Sequence, residues 1–133
     1  YSSTCPCSLS MAKQYEEDFK AGRTNAGSGI ASAHSQRSLC ICKVTYDLNS
    51  EVCITELINL LRTALPTETQ PMVKRLDEQA FAILNAENPM FVEHASRRLS
   101  HVLNLEKKIL DWEASVEHFE SLHSHNAVAY IKK

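Results

Sequence analysis

Residues 109–118, ILDWEASVEH, decide how this chain folds. Leu110, Trp112, Ala114 and Val116 alternate with Asp111, Glu113, Ser115 and Glu117. That period of two is the signature of a strand with one face on a core and the other in water. NAVAYIKK, at 126–133, reads as a second such strand, and ESLHSH, at 120–125, forms the tip of the hairpin between them. Upstream, RSLCICKVTYDL is short and rich in β-formers, which predicts a strand from about Ser38 to Tyr46. Its alternation places Cys40, Cys42, Val44 and Tyr46 on one face.

Between the strands the period changes. Ile54, Leu57, Ile58, Leu61 and Leu65 recur at helical spacing, with Ser50 as a cap and Pro66 as the stop. KRLDEQAFAILNA (74–86) predicts a second, shorter helix. NPMFVEHASRRLSHVLNL (88–105) predicts a third, with Asn88 as N-cap, Pro89 at the first helical position and Phe91, Ala95, Leu99 and Val102 along one stripe. Near the start, SLSMAKQYEEDFK (8–20) reads as a helix capped by Ser8. The segment that follows it holds all three glycines and is expected to be a flexible loop insertion over residues 20–33. The fold class is α+β, an antiparallel sheet with helices packed on one face.

The totals narrow the function. The 133 residues suffice for one domain, and a net charge of −2 gives no reason to expect a nucleic-acid or membrane-surface partner. No apolar run approaches the roughly 20 residues a membrane-spanning helix needs. The start, YSSTCPCSLS, has neither the basic residues nor the apolar stretch of a signal peptide. It reads as the end of a strand, so the chain is expected to be a fragment of a longer protein. Five cysteines, an odd number without a secretory signal, imply free thiols in a reducing cytoplasm.

Chemistry gathers in four places: Cys5 and Cys7; His34 in SAHSQRS; Asp77 and Glu78 in KRLDE; and Glu120, His123 and His125 in the hairpin loop. Thiol, imidazole and carboxylate together suit a borderline divalent metal. Cys40, Cys42 and Cys53 are expected to be buried small hydrophobes. His94, His101 and His118 fall within helix or strand patterns and are expected at solvated or core-edge positions without a role. HSQRS brings His34, Gln36 and Arg37 within four residues, a composition suited to a phosphate.

In this order STCPCS, AHSQRS, KRLDE, ENPMFVEHASRRL and HFESLHSHNAVA resemble GTP cyclohydrolase I of the type IB family, over Ser3 to Ala129. The resemblance implies the tunnelling fold, with an antiparallel sheet and two main helices on one side. It also implies that residues 1–133 are the C-terminal module of a bimodular subunit, and that the subunits form homotetramers with active sites at their interfaces. The longer connection between CPCS and AHSQRS departs from many relatives, but a surface-loop insertion is cheap in free energy.

Carried over by motif, Cys5, His34 and Glu78 bind a catalytic Zn²⁺, Mn²⁺ or Fe²⁺. Glu93 accepts from the guanine N1–H and amino group of GTP. Glu120 and His123 move protons, Cys7 is a second thiol at the site, and Gln36 and Arg37 contact the ribose triphosphate. The implied reaction opens the guanine imidazole ring, releases formate and gives 7,8-dihydroneopterin triphosphate for folate synthesis. The alternatives are another tunnelling-fold enzyme, a pterin synthase or a nitrile reductase, and a non-catalytic purine-binding or assembly module.

Overall fold

A computed structural model describes all of residues 1–133. In chain order the elements are β1 (Ser2–Thr4), α1 (Pro6–Lys20), β2 (Ser35–Tyr46), α2 (Ile54–Ala64), α3 (Arg75–Glu87), α4 (Val92–Leu105), β3 (Ile109–His118) and β4 (Ala127–Lys132). The strands form one antiparallel sheet in the order β1-β2-β3-β4. This is the α+β architecture expected from the sequence.

The core lies between the sheet and α4. Val92, Ala95, Leu99 and Leu103 recur at helical spacing and meet Ile109, Trp112 and Val116 of β3, while Ala64 and Leu65 close the side at the end of α2. The Trp112 indole Nε1–H donates to Asn104 Oδ1 at 3.0 Å, so its polar edge is satisfied. On β2, Cys40, Cys42, Val44 and Tyr46 pack against this core as their parity predicts. Burial pushes the Cys40 thiol up to about 11 and raises Cys42 as well, which suits inert packing groups. Cys53 departs from the expectation: it is exposed and forms the N-cap of α2.

Other differences have local causes. In β3 the register shifts where Thr45 faces Asp111 and Tyr46 faces Ile109, so Leu110 is skipped and left 56% exposed. Ile109, 2% exposed, fills the core position that simple alternation assigned to Leu110. Helix α4 begins at Val92 rather than Pro89, because the Met90 N–H donates to Thr4 O at 3.0 Å and its side chain plugs the core. Helix α1 starts at Pro6, whose ring pre-sets the first helical φ, with Cys5 and not Ser8 as N-cap. Helix α2 starts after Cys53, and Ser50 sits in a turn closed by its N–H to Asp47 O at 2.8 Å.

Three helix starts share one device. The N-cap backbone N–H of Cys53, Lys74 and Phe91 donates to Glu56, Asp77 and His94, respectively, three residues on. The loop after α1 turns through Gly22, Gly27 and Gly29 at positive φ, and at Gly29 an added Cβ would meet the Phe19 ring at 2.5 Å. Tyr15 Oη donates to Ala26 O at 2.5 Å and accepts from the Gly29 N–H at 3.0 Å, holding the loop against α1.

Leu99 is completely buried, whereas Leu105 at the end of the same helix is 66% exposed. Leu99→Ala is expected to cost about 2–5 kcal/mol in denaturant titrations, and Leu105→Ala within about 0.5 kcal/mol. Equal losses would place the core elsewhere.

Candidate active site

Strand β1, SST, is polar yet wholly buried. Its satisfaction builds the site. Ser3 Oγ accepts from Gln36 Nε2 at 2.9 Å and from Ser38 Oγ at 2.8 Å, and Thr4 Oγ1 pairs with Ser35 Oγ at 2.8 Å. On its other edge, Ser2 exchanges bonds with buried Thr67, and Thr4 O accepts the Met90 N–H. The strand thereby delivers Cys5, whose N–H donates to His34 O at 3.2 Å. The His34 N–H in turn donates to Ser8 Oγ at 3.1 Å, so the first turn of α1 fixes the start of β2.

A cavity of about 200 Å³ opens at this end of the sheet, on the face covered by α4. Cys5, His34 and Gln36 line it from one side, Glu93 from the first turn of α4, and Glu120, His123 and His125 from the β3–β4 loop. Met90 and His118, each 1% exposed, form its floor. The His34 and His123 rings meet edge-on with centroids 6.4 Å apart, and His123 stacks on His125 at 5.3 Å. Glu120 Oε2 is buried with no hydrogen-bond partner, an acceptor awaiting a donor or cation.

Gln36 sets the state of His34. Its amide Nε2 is committed to Ser3, so Oε1 faces His34 Nδ1 at 3.1 Å and must accept there. His34 thus carries its proton on Nδ1, which leaves the Nε2 lone pair free, as a metal-ligating imidazole requires.

Strand parity separates the other predicted residues. Arg37, next to Gln36, points to the opposite sheet face with Ser35, Ser2 and Thr4. There a second cavity of about 790 Å³ lies under α3, and Glu78 lines it. Asp77, the other acid of KRLDE, is occupied as the α3 cap, so Glu78 is the carboxylate left uncommitted. Cys7 is exposed on the first turn of α1 and lines neither cavity. Six of the nine expected residues therefore share one cavity: Cys5, His34, Gln36, Glu93, Glu120 and His123. Cys5, His34 and Glu78 are not drawn together, and no three His, Cys, Asp or Glu side chains stand in metal-ligand geometry. The thiol, the free imidazole nitrogen and the orphaned Glu120 oxygen nevertheless match the donors of a borderline divalent metal.

The sequence reading missed His118. It was expected at a solvated or core-edge position, but it closes the cavity floor with Nε2 2.8 Å from Tyr1 Oη. Its place at the end of a strand pattern and at the head of HFESLHSHNAVA was the available signal; in the sheet it stands opposite Ser38 and Ala127. Burial depresses the imidazole from its ordinary 6.5 to about 4, partly opposed by the Glu93 charge. The folded state therefore holds His118 neutral while the unfolded chain takes up the proton more readily. Its contribution to stability should be complete above about pH 6.5 and decline as the pH falls toward 4. Metal-free unfolding measured across this range should show a steeper loss in wild type than in His118→Asn. Identical slopes would remove His118 as the source.

The chain matches the family described as type I GTP cyclohydrolase FolE2 over residues 1–129. It is 46% identical to the GTP cyclohydrolase FolE2 of Pseudoalteromonas atlantica over 144 aligned residues, covering 97% of this chain and 47% of that protein. The GTP cyclohydrolase FolE2 of Cereibacter sphaeroides is 44% identical over 133 residues, covering 98% and 34%. That of Ruegeria pomeroyi is 46% identical over 132 residues, again covering 98% and 34%. The chain thus spans between about a third and a half of the length of these curated relatives. With the motifs spread over five segments and most of their reactive residues brought to one cavity, the chain belongs to the type I GTP cyclohydrolase FolE2 family.

Proposed function

We propose that this chain carries the guanine pocket and metal-holding residues of a GTP cyclohydrolase that opens the imidazole ring of GTP, releases formate and forms 7,8-dihydroneopterin triphosphate for folate synthesis. The observation that carries this reading is the convergence of Cys5, His34, Glu93, Glu120 and His123, from separate segments of the chain, on one cavity. Family membership supports it, since the relatives named above are GTP cyclohydrolases.

The metal ligands proposed are Cys5 and His34, from this cavity, joined by Glu78 once α3 moves from its place over the second cavity. The thiolate and the unprotonated His34 Nε2 favour a borderline metal, and the oxygen ligand accommodates Mn²⁺ or Fe²⁺ as well as Zn²⁺. A metal held there would supply Lewis-acid activation of water. Glu93 has no hydrogen-bond partner for its carboxylate in the protein, and it offers two acceptors to the two donors of the guanine N1–H and amino edge. His123, exposed in the loop, edge-on to His34 and stacked on His125, is the group proposed to carry protons to and from the opening ring, with Glu120 lining the same cavity.

Gln36 serves this site by holding the His34 tautomer. Arg37, on the other sheet face, is available to a phosphate group arriving from that side. Cys7 is a second thiol two residues beyond Cys5, in the first turn of α1. The working unit is a homo-oligomer, a tetramer in the family pattern, with sites completed at subunit interfaces.

The test is formate release and neopterin fluorescence from GTP, using the full-length polypeptide that carries this sequence. The protein is first chelated and then given Zn²⁺, Mn²⁺ or Fe²⁺. Activity should return with metal in wild type and stay absent in Cys5→Ala. Glu93→Gln should raise the KM for GTP roughly 10–100-fold. Turnover that survives both chelation and Cys5→Ala would sink the metal assignment, and an unchanged KM would remove Glu93 from the guanine pocket.

A further inference from the structure

We infer that His118 is a specificity-determining residue, donating from Nδ1 to the O6 carbonyl of guanine while Glu93 holds the adjacent N1–H and amino group. The inference rests on the guanine reading of this cavity and extends it to His118, which heads the segment HFESLHSHNAVA without a role assigned to it.

The tautomer follows from Tyr1. Tyr1 Oη has His118 Nε2 as its hydrogen-bond partner, at 2.8 Å, and the two rings meet edge-on at 5.7 Å. Burial raises the tyrosine hydroxyl above its ordinary range, so it keeps its hydrogen. The Ser38 hydroxyl also neighbours Tyr1 and gives its own hydrogen to Ser3 Oγ; the Tyr1 hydrogen is assigned to His118 Nε2, the partner at 2.8 Å, whose lone pair accepts it. The neutral imidazole then bears its own hydrogen on Nδ1. This is the nitrogen left without a protein partner, on a residue that lines the cavity.

Glu93 lies close enough for its charge to act on His118, and both line the same cavity. A carboxylate beside a neutral N–H donor presents acceptors next to a donor. A lactam edge of the opposite pattern, donor N–H next to acceptor C=O, fits it. Guanine carries that edge at N1 and O6, flanked by the amino group. Adenine would set its 6-amino donors against the imidazole N–H and its bare N1 against the carboxylate, so it is rejected twice. A polar site built for one pattern discriminates strongly because the wrong ligand leaves its buried groups unpaired. At about 200 Å³ the cavity suits a base, with sugar and phosphates outside.

The test compares dissociation constants by calorimetry, on the full-length polypeptide under chelation so that no turnover intervenes. The probes are GTP, 6-thio-GTP and ITP. 6-Thio-GTP keeps N1–H and the amino group but replaces O6 with a poor acceptor, and ITP keeps O6 but lacks the amino group. Wild type should bind GTP roughly 5–10-fold tighter than 6-thio-GTP. His118→Ala should bring the two to within about twofold by weakening GTP, while leaving the GTP-to-ITP ratio unchanged. Tyr1→Phe, which releases the tautomer and keeps the ring, should give an intermediate ratio.

Equal weakening of all three nucleotides would mark His118 as merely structural and overturn the inference, as would an unchanged ratio in both variants. Should His118→Ala fail to fold, Tyr1→Phe decides: a lowered ratio supports the inference and an unchanged one overturns it. A wild-type protein that does not distinguish GTP from ITP would bring down the guanine reading itself, and this inference with it.

Discussion

The structure depends on a strand of three residues. Ser2–Thr4 has β2 on one edge and the main chain of Thr67 and Met90 on the other, so a polar segment is buried with its hydrogen bonds made. A buried polar group without a partner costs several kcal/mol, and this requirement aligns everything that touches β1. It draws Gln36 and Ser38 inward, ties the approach to α4 to the sheet, and leaves Cys5 at the mouth of the cavity beside His34. The Cys5 thiol therefore stands at the end of a fully braced element, and its position follows from the polar bonds beneath it.

Around that anchor, the chemistry is sorted by strand parity. Adjacent residues of β2 point to opposite faces, so Gln36 enters the cavity under α4 and Arg37 the one under α3. Tetrapeptides that look like single clusters in sequence are divided between two compartments by the pleat. Gln36 illustrates what the division achieves. Its two amide ends are both engaged, Nε2 with Ser3 and Oε1 with His34, so it braces the His34 ring. Helix α4 is divided along its length in the same way: its later turns fill the core with Leu99 and Leu103, while its first turn holds Glu93 over the cavity.

The site also carries a cost to stability. His118 is held neutral in the floor, Glu120 keeps a buried oxygen unpaired, and Tyr1 is committed to a single imidazole. Such groups add little to folding and pre-organise donors and acceptors for a ligand, the usual trade at a functional site. The apolar layer of α4 against β3 supplies the stability that tolerates them.

Much was legible from the sequence, because local rules operate locally. The alternation from Trp112 to Val116, the helical stripe of Leu99, and the parity of Cys40 and Cys42 follow from chain periodicity, which tertiary packing did not override. The ordered motifs identified the family, since chemistry-bearing residues keep their spacing whatever lies between them. What escaped the sequence depended on distant partners. The bulge that exchanges Leu110 for Ile109 arises from pairing with β2, and the late start of α4 from a bond between Met90 and Thr4, far apart in the chain. His118 became a cavity wall only because Tyr1 and Glu93 converged on it, and Glu78 and Cys5 were parted only by the placement of α3. Periodicity and motif are properties of neighbours in sequence and survive as such; burial, tautomer and co-location are properties of neighbours in space, and only the folded chain creates them.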